Sequence, residues 1–135
     1  ARMPRFSPRT GMTRLETVRV SRASAEQRRG RAGRTGPGVC VRLWPAHEDD
    51  HLLPHAAPEI ADADLAPLAL ELAAAGVRDP GELLWLDPPP AAALAGARAL
   101  LHQLGAVDAA GVEGRVTAHG RAMAGLPLHP RLAHM

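Results

Sequence analysis

The spacing of hydrophobic positions changes several times along the chain, and each change marks a different element. Residues 2–6 and 12–20 are strand-like on either side of Ser7-Pro8-Arg9-Thr10-Gly11, a run of turn-forming residues, which predicts a β-hairpin. In the second arm Leu15, Thr17 and Arg19 alternate with Glu16, Val18 and Val20, as in a two-faced strand. The period then becomes helical. Ser24 and Gln27 fit a capping box, in which an N-cap Ser and a Gln three residues later satisfy backbone N–H groups that have no partner inside the helix. The helix is predicted to reach about Arg34 and to stop at Thr35-Gly36-Pro37-Gly38. Val39-Cys40-Val41-Arg42-Leu43-Trp44 follows, apolar enough for an interior strand. Strand, helix, strand in this order predicts the edge of an α/β unit.

Residues 45–63 are polar and carry Pro45, Pro54 and Pro58, which reads as a linker with a short turn of helix. From Asp64 the pattern is helical again. Asp64 is the predicted N-cap, and Pro67 falls in the first turn, where its missing N–H is no loss. Leu65, Leu68 and Leu72 form the expected buried stripe, and Gly76 ends the helix. Residues 80–86 give a short helical piece. Pro88-Pro89-Pro90 leads into a second long helix with the stripe Leu94, Ala97, Leu101 and Leu104, closed by Gly105. Val107 and Val116 flank residues 108–114 as a small hairpin-like wing. Helices with a two-stranded wing make a winged-helix pattern. A last helix is predicted near residues 120–126, and Pro127 and Pro130 punctuate a further one.

Composition narrows the function classes. With 135 residues the chain has the length of one domain, or of pieces of several, and 46% hydrophobic residues suffice for a core. The apolar stretches near 65–76 and 91–105 are interrupted by Glu71, Arg98 and His102, so neither reaches the ~18 unbroken apolar residues of a membrane span. The Arg-rich start does not resemble a secretory signal. The single cysteine, Cys40, excludes an intrachain disulfide and reads as a small core residue in a reducing, cytoplasmic setting. Charge changes the picture most. All 16 basic residues are arginine. Residues 1–44 hold eleven of them against two acids, a balance of +9, whereas residues 45–135 hold five against twelve acids, a balance of −7.

The candidate chemistry lies in Gln27-Arg28-Arg29-Gly30-Arg31-Ala32-Gly33-Arg34. On a helix Gln27, Arg31 and Arg34 stand at i, i+4 and i+7 and share a face. Gly30 and Gly33 leave room for a ligand or another backbone. Glycine inside a helix costs about 1 kcal/mol relative to alanine, so two of them need a reason. Long polar donors converging beside such clearance suit a polyphosphate, because the planar arginine fork matches phosphate oxygens bidentately and keeps its proton. The bland alternative is an Arg/Gly-rich arm that touches nucleic-acid phosphates without a defined geometry, which Arg content alone makes equally good. Helical phase, the capping box and the following apolar segment favour the ordered site.

Ser21-Arg22-Ala23-Ser24-Ala25-Glu26 followed by residues 27–36 resembles motif VI of superfamily 2 helicases in its DEAH-box form. Pro8-Arg9-Thr10-Gly11-Met12 is similar to a hairpin turn of the same helicases, and residues 64–70, 85–89 and 128–132 resemble their bacterial HrpB type. The resemblance covers essentially the whole chain. It implies an α/β tail of the second RecA-like helicase domain over residues 1–44, a linker over 45–63, a mostly α winged helix over 64–116, and the start of a helical ratchet domain over 117–135. It further implies an ATP-dependent RNA helicase. Arg31 and Arg34 would be arginine fingers, Gln27 a contact of the γ-phosphate or attacking water, and Arg28 a structural or interdomain residue. Arg29 falls at a variable position. The expected partners are RNA or another single-stranded nucleic acid, the first RecA-like domain, and no membrane. The cofactor would be ATP with Mg²⁺. The chain has no lysine, hence no P-loop lysine, and no Asp-Glu-Ala-His; the Mg²⁺ ligands would lie elsewhere, and the chain alone should be inactive.

Other residues are weighed and set aside. His47, His51 and His55 recur every four positions, but the flanking prolines argue against one helix presenting them to a metal. His102 and His119 read as helix-surface or capping residues. A second function class stays open: a free-standing winged-helix nucleic-acid binder with a basic arm and no catalysis, which predicts salt-sensitive binding.

Overall fold

The computed structural model describes residues Ala1–Met135, which cluster into two compact units. The first comprises residues 1–5 and 14–58; the second comprises residues 6–13 and 59–135.

Turn chemistry sets the hairpin. Strands β1 (Arg2–Ser7) and β2 (Met12–Thr17) form a two-stranded sheet. Gly11, at φ 63°, and the N–H of Gly11 on the Ser7 carbonyl (2.8 Å) close the turn. β2 is exposed along its whole length, so its alternation buries no face; it also ends at Thr17, short of the predicted Val20. Helix α1 (Arg22–Ala32) follows. Its N-cap is Ser21, not Ser24: Ser21 is extended, and its Oγ accepts from the Ser24 N–H at 3.2 Å. The helix also stops at Ala32, before Arg34, because Gly33 leaves the helical conformation (φ −100°, ψ 21°).

Residues 39–44 do not form the predicted interior strand. A strand needs a ladder of backbone partners, and the chain's one sheet contains only β1 and β2. Val39, Val41 and Leu43 are 87%, 74% and 93% exposed, and Cys40 is exposed rather than a core residue. The α/β edge expected from strand, helix and strand is therefore not closed within these residues; the architecture is helical with a small two-stranded sheet. A 3₁₀ turn at Ala46–His51 supplies the short helical turn of the polar segment.

The second unit is built on apolar packing. After the short helix α2 (Glu59–Asp62), α3 (Ala66–Ala74) has Leu65, not the predicted Asp64, at its N-cap; Asp64, one residue earlier, accepts from the Ala66 N–H through Oδ1 at 3.0 Å. Gly76 and Gly105, at φ 78° and 71°, end α3 and α4 (Ala91–Gln103). Leu94, Ala97 and Leu101 face the core as their spacing predicts, with Leu104 partly buried. Of the expected stripe Leu65 and Leu72 are buried and Leu68 is half-buried against the core, while Ala66, Ala69 and Leu70 widen the buried face. Residues 80–86 give only one 3₁₀ turn, Pro80–Glu82, and Leu84 and Leu86 are fully exposed. Val107 and Val116 pair in an isolated antiparallel bridge. Thr117 then caps α5 (Ala118–Ala124), accepting from the Gly120 N–H at 3.0 Å, while its hydroxyl donates to the Gly105 carbonyl at 2.7 Å. Met123 of α5 completes the core against α3 and α4.

His129 caps the last helix, α6 (Pro130–Ala133), its Nδ1 accepting from the Arg131 N–H at 3.1 Å. That acceptor role puts the neutral ring's proton on Nε2, 3.0 Å from Asp64 Oδ2. Asp64 thus serves α3 with one oxygen and His129 with the other.

Candidate functional site

Helix α1 is held from its N-terminus. Its first backbone donors have no partner within the helix. Two are met by the polar segment: Arg22 N–H donates to the Leu53 carbonyl (2.8 Å) and Ala23 N–H to the Pro54 carbonyl (3.0 Å). Ala25 and Leu52 are the apolar residues buried in this unit.

A polar brace fixes one side of the helix. Glu26 pairs with Arg29 at 2.8 Å and with Arg42, and Arg42 Nη1 reaches Asp49 Oδ2 at 2.7 Å. Trp44 Nε1 donates to Asp49 Oδ1 at 2.8 Å, and Arg22 Nη2 reaches the Asp49 carbonyl at 3.4 Å. The Trp44 indole, followed by the Arg42 guanidinium, holds the Asp49 carboxyl below the usual aspartate range. Hydrogen bonds to Asp49 and then Glu26 raise the pKa of Arg42 further above its already high value. Sequence reasoning missed this brace. Glu26, Arg42 and Asp49 share no periodicity, and opposite charge was their only shared signal.

The residues expected to meet phosphate stand apart from the brace. Gln27, Arg28, Arg31 and Arg34 are exposed and make no hydrogen bond or ion pair. Gln27 and Arg31, four residues apart on α1, share a face as predicted. Arg34 does not continue that face, because it lies in the bend after Gly33. A side chain at Gly30 would meet nothing within 4 Å, so packing inside the chain does not explain this glycine. Arg31 also lies in the last helical turn, where a cation offsets the partial negative charge of the carbonyl end. The arrangement offers a row of uncommitted guanidinium forks on a helix whose paired neighbours, Glu26 and Arg29, face a different task. No group of three His, Cys, Asp or Glu side chains is placed to hold a metal.

Comparison with known proteins decides the lineage. The ATP-dependent RNA helicase HrpB of Escherichia coli is 45% identical over 134 residues, which is 99% of this chain and 16% of its own length. Two crystal structures of E. coli HrpB match 98% of the chain with TM-scores of 0.85 and 0.88 at 44% identity. The chain is homologous to a segment of the DEAH-box RNA helicases. The kinship reaches eukaryotic DEAH-box proteins. The Schizosaccharomyces pombe pre-mRNA-splicing factor ATP-dependent RNA helicase prp22 is 42% identical over 130 residues, 95% of this chain and 11% of its own. The human probable ATP-dependent RNA helicase DHX34 is 40% identical over 123 residues, 91% and 10% respectively. The chain therefore spans between a tenth and a sixth of the length of these DEAH-box relatives. No protein-family model matches it. No helix is long and apolar enough to cross a membrane.

Proposed function

We propose that the chain is the part of an ATP-dependent RNA helicase that brings arginines to the phosphates of ATP. The observation that carries this reading is the set Gln27, Arg28 and Arg31 on α1 and Arg34 in the bend just after it, exposed and unpaired beside a brace that anchors the helix. Arg31 and Arg34 are the arginine fingers: they approach the γ-phosphate from this side and balance the charge that builds on its oxygens during transfer. Gln27 orients the attacking water or holds a γ-phosphate oxygen. Arg28 contacts the neighbouring domain. The donor set fits a polyphosphate, since each guanidinium offers five N–H groups and none is committed elsewhere. The remaining nucleotide contacts, the P-loop lysine and the Mg²⁺ ligands come from outside these residues, which contain no lysine. ATP binding would close an interdomain interface and hydrolysis would reopen it; this chain by itself would neither bind ATP well nor hydrolyse it.

In this reading residues 1–44 are the end of a second RecA-like domain, and exposed Val39, Val41 and Leu43 pair into the rest of its sheet. Residues 45–63 link it to a winged helix over 64–116, whose wing begins at the Val107–Val116 bridge. Residues 117–135 begin the ratchet and rest on the winged helix through Met123. Single-stranded RNA is the substrate these domains hold.

The test is RNA-stimulated ATP turnover by the full-length protein. Arg31→Ala and Arg34→Ala should each lower it by roughly 10³-fold. Near-normal turnover in both variants would sink the finger assignment.

A further inference from the structure

Residues 59–135 hold nine acids and only five arginines. Arg78, Arg115 and Arg121 nevertheless line one open depression, of about 330 Å³, with Ala73, Val77 and Val116. A fourth, Arg98, donates through Nη2 to the Arg78 carbonyl and ties down the segment that carries Arg78. Arg115 and Arg121 are six residues apart, and folding brings Arg78 to them from far along the chain.

Their donors are largely uncommitted. The Arg115 backbone is fixed by its N–H on Asp108 Oδ1 (2.7 Å) and by its carbonyl, which accepts from the Asp108 N–H (3.0 Å). Its side chain makes no hydrogen bond or ion pair. Arg121 Nη2 lies 3.5 Å from the Val116 carbonyl, a long contact. Arg78 Nη1 lies 3.7 Å from Glu113 Oε2, and both side chains are largely solvated. The carbonyl end of α3 nearby carries about half a negative charge, which accounts for one cation but not three. Like charges gathered in a unit with acids to spare imply an anion at that place. The lining contains no aromatic residue on which a base could stack, and guanidinium forks match phosphate oxygens in pairs. An open depression of this kind suits a passing phosphodiester chain.

We infer that the depression lined by Arg78, Arg115 and Arg121 binds the backbone of single-stranded RNA, independently of base sequence. RNA as the nucleic acid rests on the helicase reading above; the phosphate chemistry does not. A free phosphate offers the same oxygens, and the test separates the two.

The measurement is fluorescence anisotropy of a labelled 12-nucleotide oligouridine, titrated with nucleotide-free full-length protein over a range of KCl concentrations. The triple variant Arg78→Gln/Arg115→Gln/Arg121→Gln should bind at least tenfold more weakly and lose about 2 from the slope of log K against log salt, at about 0.7 per phosphate contact. The loss should be equal on oligoadenosine. Glu113→Gln, which releases Arg78, should tighten binding, a gain that misfolding cannot produce. Arg131→Gln, at an arginine of the same unit outside the depression, should leave the slope as it was. A wild-type slope in the triple variant overturns the site. So does an equal effect of Arg131→Gln, or displacement of RNA by inorganic phosphate at constant ionic strength. Oligouridine-stimulated ATP turnover of the unsubstituted protein, measured alongside, reports on the helicase reading separately. Its absence with the slope effect intact rejects that reading and keeps the site.

Discussion

The two compact units solve the problem of holding arginines in place by different means. In the first, apolar burial is slight: Ala25 and Leu52 are its buried hydrophobic residues, and α1 is fixed by the Glu26, Arg42, Asp49 and Trp44 brace. In the second, Leu65, Leu70, Leu94, Leu101 and Met123 form a continuous core, and several of the polar bonds cap helices. Yet each presents guanidinium groups that have little to do with its own stability. Position is supplied by one set of residues and chemistry by another, so stability and function should respond to different substitutions.

The largest stability effect belongs to the core. Leu101 is fully buried, and Leu101→Ala should cost about 2–5 kcal/mol in urea unfolding. A loss below about 1 kcal/mol would mean the helices repack freely, and the contrast between the units would weaken. Caps come next. Thr117→Ala removes the hydroxyl that accepts from Gly120 and donates to Gly105, and should cost roughly 1–2 kcal/mol by the same assay. In the first unit the brace should show itself as pH dependence. The Asp49 pKa is lowered on folding, so its contribution to stability is complete above the ordinary value of 3.8 and disappears as pH falls through the lower folded value. Asp49→Asn should remove that acid-side dependence, followed by Trp44 emission; an unchanged acid profile would mean that the brace does not hold α1. The smallest stability effect should come from the arginines proposed as fingers. Arg31→Ala and Arg34→Ala should leave the unfolding midpoint within about 0.5 kcal/mol of the parent, because neither side chain has a partner.

Much of the second unit was legible in the sequence because its signals are local. The stripe of α4, the glycines ending α3 and α4, and the paired valines Val107 and Val116 each act over a few residues. The first unit was less legible. Ser24 fits a capping pattern as well as Ser21 does, and what favours Ser21 is its extended backbone together with Leu53 and Pro54, whose carbonyls receive the next two N–H groups. The apolar run at residues 39–44 has the composition of a strand, but composition supplies no ladder. Arg34 kept helical phase on paper while Gly33 had already ended the helix.

By itself the sequence determined the arginine-rich motif and its likeness to DEAH-box helicases, the hairpin turn, the ends of the long helices and the charge division between the two stretches. These follow from residue identity and spacing, which act through backbone conformation over one or two turns. Only the tertiary structure decided that Glu26 and Asp49 claim Arg42, that Gln27, Arg28, Arg31 and Arg34 are claimed by nothing, and that Arg78, Arg115 and Arg121 meet in one depression. Ion pairing and convergence depend on distances between residues far apart in the chain, and packing alone sets those distances.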